Sequence, residues 1–340
     1  MRYRLLGDSG IRVSELALGT MTFGTAWGWG AARDECARIL EAYRDSGGNV
    51  IDTACNYTTG ESETILGDLL EGRRDQFVLA TKYSLTIDRT DPNAGGNHSK
   101  SLRRIVEQSL RRLRTDYIDL LWLHMWDGLT SVEQVMHALD VQVRAGKVLH
   151  VGFSDSPAWV VSAAIELAHH HGWPVPVAVQ APYSASDRDI ERELLPMAAA
   201  HRLAAFTWGA LEGGMLTGKY VAGGDQPRRY GEAPMSERVA RIASVISEIA
   251  RAHAATPAQV CLAWVLSRRG SGWNVLPILG ARTAAQLTED LMALEVQLDE
   301  TSLRQLDDAT PFKLGFPRSF LEDPEVIELI FGRSRPLIDV

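Results

Sequence analysis

Short apolar runs rich in β-branched residues alternate along this chain with longer segments whose apolar residues recur at helical spacing. The runs are Glu15 to Gly19, Asn49 to Asp52, Phe77 to Lys82, Tyr117 to His124, Val148 to Ser154, Val175 to Gln180, Leu203 to Trp208 and Val275 to Gly280. Between them the pattern predicts helices over Arg33 to Ser46, Ser62 to Glu71, Lys100 to Arg114, Ser131 to Arg144, Pro157 to His171 and Asp189 to His201, then Met235 to His253 running on to Pro257 to Arg269. Strands that are apolar on both faces and separated by helices belong to a parallel sheet, and eight such units fit a closed (β/α)8 TIM barrel of the α/β class better than an open doubly wound sheet. The doubly wound alternative also lacks its glycine motif, because Gly28-Trp29-Gly30-Ala31-Ala32-Arg33 misses the last glycine and follows no strand. Ahead of the first run, two arms flank the turn cluster Gly7-Asp8-Ser9-Gly10, which predicts an N-terminal β-hairpin capping one barrel mouth. Two connections, Ser84 to Ser99 and Glu212 to Pro234, are unusually long. Past an acidic helix, Asp299 to Ala309, comes a long C-terminal tail containing Phe312, Phe316, Phe320 and Phe331, expected to pack back on the barrel. The reading is one domain, residues 1–340.

Composition narrows the function classes. The 340 residues are 45% hydrophobic and 23% charged with a net charge of -8, and no basic block is dense enough to follow a phosphate backbone, so nucleic acid is not an expected partner. No apolar stretch approaches the roughly 20 residues of a membrane helix, and Arg2, Arg4, Asp8, Arg12 and Glu15 stand where a signal peptide would be apolar, which predicts a cytoplasmic protein without a membrane partner. Cys36, Cys55 and Cys261 form no close pair, so neither disulfides nor a zinc site is indicated.

In a (β/α)8 barrel chemistry is done where strands end, so the polar residue closing each run is the place to look. The second run ends in Asp52, the third in Lys82, the fourth in His124, the fifth in Ser154, the sixth in Gln180 and the seventh in Trp208. Singly, Asp52 could be a cap, Lys82 a solvated lysine and His124 a core histidine. Barrel topology would nonetheless gather Asp52, Lys82 and His124 at one mouth, with Tyr57 five residues past the second run. An ammonium beside a phenol favours phenolate and makes the tyrosine a usable general acid, while Asp52 would keep a buried Lys82 charged. His124 would hydrogen-bond a carbonyl oxygen on which negative charge develops, and the four together suit carbonyl reduction. A lone His, a Lys and a Tyr are not a metal-ligand set, so no metal is implied.

These residues sit in segments that resemble the aldo-keto reductase superfamily over nearly the whole chain: Leu18-Gly19-Thr20-Met21-Thr22-Phe23-Gly24, Ile51-Asp52-Thr53-Ala54-Cys55-Asn56-Tyr57 with Gly60-Glu61-Ser62-Glu63, Leu113 to Leu120 through His124, Gly146 to Ser154, Gly214 to Tyr220, and Pro277-Ile278-Leu279-Gly280-Ala281-Arg282. The resemblance, nearest to bacterial members, implies an NADPH-dependent reductase of aldehydes or ketones. In it Tyr57 is the proton donor, Lys82 and Asp52 tune it, and His124 positions the carbonyl. It implies NADPH contacts from Gly19, Thr20, Met21, Asp52, Ser154, Gln180, Trp208, Gly209, Leu211, Gly280, Arg282, Gln286 and Asp290, with Arg282 suited to a 2′-phosphate. Two positions depart from the family pattern: Asp155 and Asp290 stand where asparagine is usual. Trp27 and Trp126, with Tyr57 and His124, are the expected substrate contacts for an aromatic or aliphatic carbonyl, a quinone or a keto-sugar. The competing expectation is a redox-sensing, nucleotide-binding regulatory subunit resembling the family's channel-associated β subunits.

Overall fold

A computed structural model describes residues 1–86, 88–218 and 236–338. The chain opens with a two-stranded antiparallel hairpin, β1 (Tyr3–Leu5) and β2 (Arg12–Ser14). There follow β3 (Ala17–Gly19), α1 (Arg33–Asp45), β4 (Val50–Asp52), α2 (Glu61–Leu69), β5 (Val78–Tyr83), α3 (Ser99–Leu113), β6 (Ile118–Leu123), α4 (Val132–Arg144), β7 (Val148–Ser154), α5 (Ala158–His171) and β8 (Ala178–Pro182). The second half continues with α6 (Leu194–Ala200), β9 (Ala204–Trp208), α7 (Glu237–Ala252), α8 (Pro257–Ser267), β10 (Val275–Gly280), α9 (Ala284–Leu291), α10 (Glu300–Ala309), α11 (Arg318–Leu321) and α12 (Pro324–Phe331). Strands β3 to β10 pair in parallel and close on themselves, β10 joining β3, so the structure is the eight-stranded α/β barrel that the alternation of apolar runs predicts.

Two cores follow from this closure. One lies between the sheet and the outer helices, where helix faces such as Ile105, Val106 and Leu113 of α3 meet the outward residues of the strands. The other fills the barrel itself, with Ala17, Val50, Leu120, Trp122, Phe206 and Leu276. Trp122 and Phe206 meet edge to face at 5.4 Å, and Gly152 makes room for them: a Cβ there would stand 2.5 Å from the Trp122 ring. The hairpin plugs the N-terminal mouth. Leu6 and Val13 are wholly buried in the inner core, and the backbone at Gly7, at φ +55°, runs so close to Val177 that a Cβ would lie 2.4 Å from its carbonyl oxygen. Only the mouth formed by the strand C-termini is left for chemistry.

Two expectations are corrected below. The helices read at Met235 to His253 and Pro257 to Arg269 are α7 and α8, both between β9 and β10 where the pattern puts them, and the last strand is followed by α9, which is too short to stand out by periodicity. Met235 itself, and the long connection from 219 to Pro234, lie outside the described residues. The segment Asp189 to His201 is a 3-10 turn at Asp189–Glu191 and then α6, which carries Pro196 in its first turn, where a proline removes no helical hydrogen bond. The tail does not pack back on the barrel beyond Arg318: α11 and α12 bury no residue, and Phe316, Phe320 and Phe331 are exposed. The outer helices already turn their apolar faces to the sheet, and what meets the tail is charged. Arg188 and Arg192 lie over the Phe312 ring, Arg192 donates to the Lys313 carbonyl, and Arg318 donates to that of Glu191.

Candidate active site

Three neighbouring strands deliver the predicted polar cluster. Asp52 is the last residue of β4 and Lys82 the fifth of β5, and His124 follows β6, its N–H donating to the Tyr83 carbonyl at 2.9 Å. Tyr57 opens the turn after β4. That turn is strained: Thr58 and Thr59 have φ of 46° and 59°, and it is held by Thr58 Oγ1 donating to the Phe23 carbonyl at 2.7 Å and accepting from the Ser62 N–H at 3.0 Å.

Lys82 is wholly buried and its Nζ spends all three protons: on Asp52 Oδ2, on the Thr53 carbonyl at 2.9 Å and on Tyr57 Oη at 3.0 Å. Burial alone would push this ammonium down, but the Asp52 carboxylate foremost, and Tyr57 with it, hold it above its ordinary value. Lys82 therefore stays charged, as its pairing with Asp52 requires. Gln180 reaches across the barrel from β8 and donates to Asp52 Oδ1 at 2.9 Å, which fixes the carboxylate from its other side. His124 packs edge-on to the Tyr57 ring at 6.2 Å. Burial, helped by the Lys82 charge, pushes its imidazole down to about 2, so the ring is neutral and one of its nitrogens carries a hydrogen to donate.

Beside this cluster lies a cleft of about 530 Å³. Gly209, Leu211, Gly280, Arg282, Gln286 and Asp290, six of the predicted nucleotide contacts, all line it. Gly209 has φ +79° and a Cβ at Gly280 would meet nothing within 4 Å, so the cleft floor there is bare backbone. The N-termini of α8, capped by Thr256, and of α9, capped by Thr283, bring two positive helix ends to it, and Arg282 makes no ion pair among the described residues. The expected contacts did not include Thr256, Pro257 and Ala258 of the cleft wall, which lie at the N-terminus of α8, ahead of the last strand rather than at a strand end. Ser154 at the end of β7 is buried with its Oγ lacking a hydrogen-bond partner, as is His124 Nδ1, and both suit a polar ligand in the mouth. These features fit a dinucleotide laid from the cluster of Asp52, Tyr57, Lys82 and His124, the tetrad, towards Arg282.

Other predicted positions are placed less directly. Thr20 is buried at the rim with its N–H on the Asp52 carbonyl at 2.9 Å, Gly19 pairs in register with Asp52 and Gly280, and Met21 is half-buried. Trp27 and Trp126 form separate aromatic pairs, Trp27 with Trp29 of the cleft wall at 5.8 Å and Trp126 with Trp159 at 6.3 Å. Asp155, at φ +41°, accepts from Trp208 Nε1 at 3.3 Å. Burial pushes its carboxyl up to about 6, against the pull of that hydrogen bond and of Lys82. This tie between the loop after β7 and the end of β9 joins residues 53 apart and has no signature in the local pattern.

The aldo/keto reductase family model matches residues 15–311. The chain is 42% identical over 328 residues to a norsolorinic acid reductase of Emericella nidulans, covering 93% of this chain and 84% of that one. It is 36% identical to an aryl-alcohol dehydrogenase of Pestalotiopsis microspora, with 94% and 85% covered, and 36% identical to a putative aryl-alcohol dehydrogenase of Saccharomyces cerevisiae, with 96% and 91% covered. With a family match spanning the barrel and relatives of this identity over nearly their full lengths, the chain belongs to the aldo/keto reductase family and is an NAD(P)-dependent oxidoreductase.

Proposed function

We propose that this protein is a cytoplasmic, single-domain NADPH-dependent reductase of aryl aldehydes and ketones, with Tyr57 as proton donor. The observation that carries the reading is the Lys82 ammonium held by Asp52 within 3.0 Å of Tyr57 Oη. When bound, a nicotinamide would supply the hydride that reduces the carbonyl. Neutral His124 donates a hydrogen bond to the carbonyl oxygen and holds it within reach of Tyr57, whose hydroxyl proton passes to that oxygen as negative charge builds. The Lys82 ammonium then stabilises the charge left on the phenol oxygen, and Asp52, fixed by Gln180, keeps Lys82 in place. Ser154, Gln180 and Trp208 would hold the nicotinamide end, and Gly280, Arg282 and Gln286 the phosphate end, where Arg282 and two helix N-termini favour NADPH over NADH. The Trp27–Trp29 and Trp126–Trp159 pairs offer flat apolar walls for an arene, in keeping with the aromatic alcohols in the relatives' names.

The test is NADPH oxidation by the purified protein with aryl aldehydes and ketones, beside Tyr57→Phe. Turnover that falls by about 10²- to 10⁴-fold in kcat/KM in the variant is the expected result. An unchanged kcat/KM would remove Tyr57 from its role, and tight NADPH binding without turnover of any carbonyl would favour the regulatory reading.

A further inference from the structure

The C-terminal tail combines three properties that a finished surface does not. It is apolar: Phe316, Phe320, Leu329, Ile330, Phe331 and Leu337 are all exposed, Phe316 by 86%, Leu329 by 84% and Leu337 by 82%. It is held in position, since Arg192 and Arg318 tie its root to the segment around α6. And it touches little but itself, α12 meeting α11 and the turn at Gly332–Leu337. A helix apolar around most of its circumference is ordinarily a buried helix, yet among the described residues only Val326 and Ile327 of α12 are half-buried and none of the helix is fully covered.

We propose that the tail is a homodimer interface, packed antiparallel against the tail of a second copy of this chain. Three observations select that occupant. The exposed apolar side chains of the tail amount to roughly 900 Å², close to the ~800 Å² that each partner of a standard-sized interface contributes. Arg318 already pairs with Glu322 at 2.8 Å, and over residues 323–335 the remaining charges are segregated, with Asp323, Glu325 and Glu328 at and before α12 and Arg333 and Arg335 after it. Across a two-fold axis an antiparallel pairing sets the acidic start of each tail beside the basic end of the other, so the segment is complementary to itself. A lipid surface is disfavoured by the same charges, and α12, eight residues and so about 12 Å long, is too short to span a membrane.

Sedimentation velocity on the full-length protein between about 1 and 100 μM, with and without NADPH, tests this. The expected species has twice the 37.4 kDa of the chain. Leu329→Asp with Ile330→Asp should give monomers with unchanged far-UV dichroism, because both side chains are exposed in the single chain, and a Tm no longer dependent on protein concentration. Arg333→Glu with Arg335→Glu should weaken the dimer about tenfold, since the two-fold repeats each pair, and adding Glu325→Arg with Glu328→Arg should restore it. A monomeric wild type throughout the range overturns the proposal. So does a dimer that survives the Asp substitutions, which would place the interface elsewhere, and so does a tail that gains protease protection with NADPH while the protein stays monomeric, which would assign its cover to its own barrel.

Discussion

At the scale of single residues, two titratable groups at the mouth, buried His124 and half-buried Asp155, act on stability with opposite signs. Folded His124 holds its neutral form down to about 2, whereas in the unfolded chain the ring titrates near its usual 6.5. As pH falls through about 6.5 the unfolded chain takes up a proton that the folded one does not, so the His124 contribution is present above that pH and lost towards acid. Asp155 behaves the other way: its folded value is raised to about 6 from 3.8, so its contribution is full below about 4 and lost as pH rises through about 6. Urea midpoints measured between about pH 5 and 7.5 should therefore show a shallower fall towards acid in His124→Gln and a steeper one in Asp155→Asn. If both variants kept the parent's pH slope, neither group would be buried as the structure has it.

At the scale of elements, the barrel's outer layer is set by how closely helices approach. Gly67 of α2 faces the end of α3, where a Cβ would lie 2.2 Å from the Arg112 carbonyl oxygen and 2.9 Å from the Leu113 backbone. The same interface buries Glu63, which accepts from Thr81 Oγ1 at 2.7 Å and pairs with Arg112 at 3.2 Å. Replacing glycine by alanine in a helix ordinarily gains up to about 1 kcal/mol, but two backbones cannot part without moving a strand-packed helix, and overpacking costs about 1–3 kcal/mol. Gly67→Ala is thus expected to lower stability, as read from denaturant unfolding, and a stabilised variant would show that α2 and α3 have room between them.

At the scale of the whole molecule, the cleft exists only because the barrel closes: β10 beside β3, and the loops after β9 and β10 facing the starts of α8 and α9. Arg282 lines that cleft just ahead of α9 and is the proposed 2′-phosphate contact, so Arg282→Ala should weaken NADPH binding while leaving NADH nearly unaffected, each Kd measured by quenching of tryptophan fluorescence. Equal losses for both nucleotides would move the phosphate site away from Arg282.

The sequence by itself determined the barrel and the tetrad. Apolar runs without polar alternation mark strands buried on both faces, and the polar residues that end them, Asp52, Lys82 and His124, must lie at one mouth of any parallel barrel. Only the tertiary structure decided what spans long separations. Gln180 reaches Asp52 from 128 residues away, Asp155 meets Trp208, α8 supplies a wall of the cleft, and the tail stays off the barrel although its composition predicts burial. Periodicity records which faces of an element avoid water; which partner covers each face depends on how strands close and which helix faces are already taken, and neither is written in any local stretch of chain.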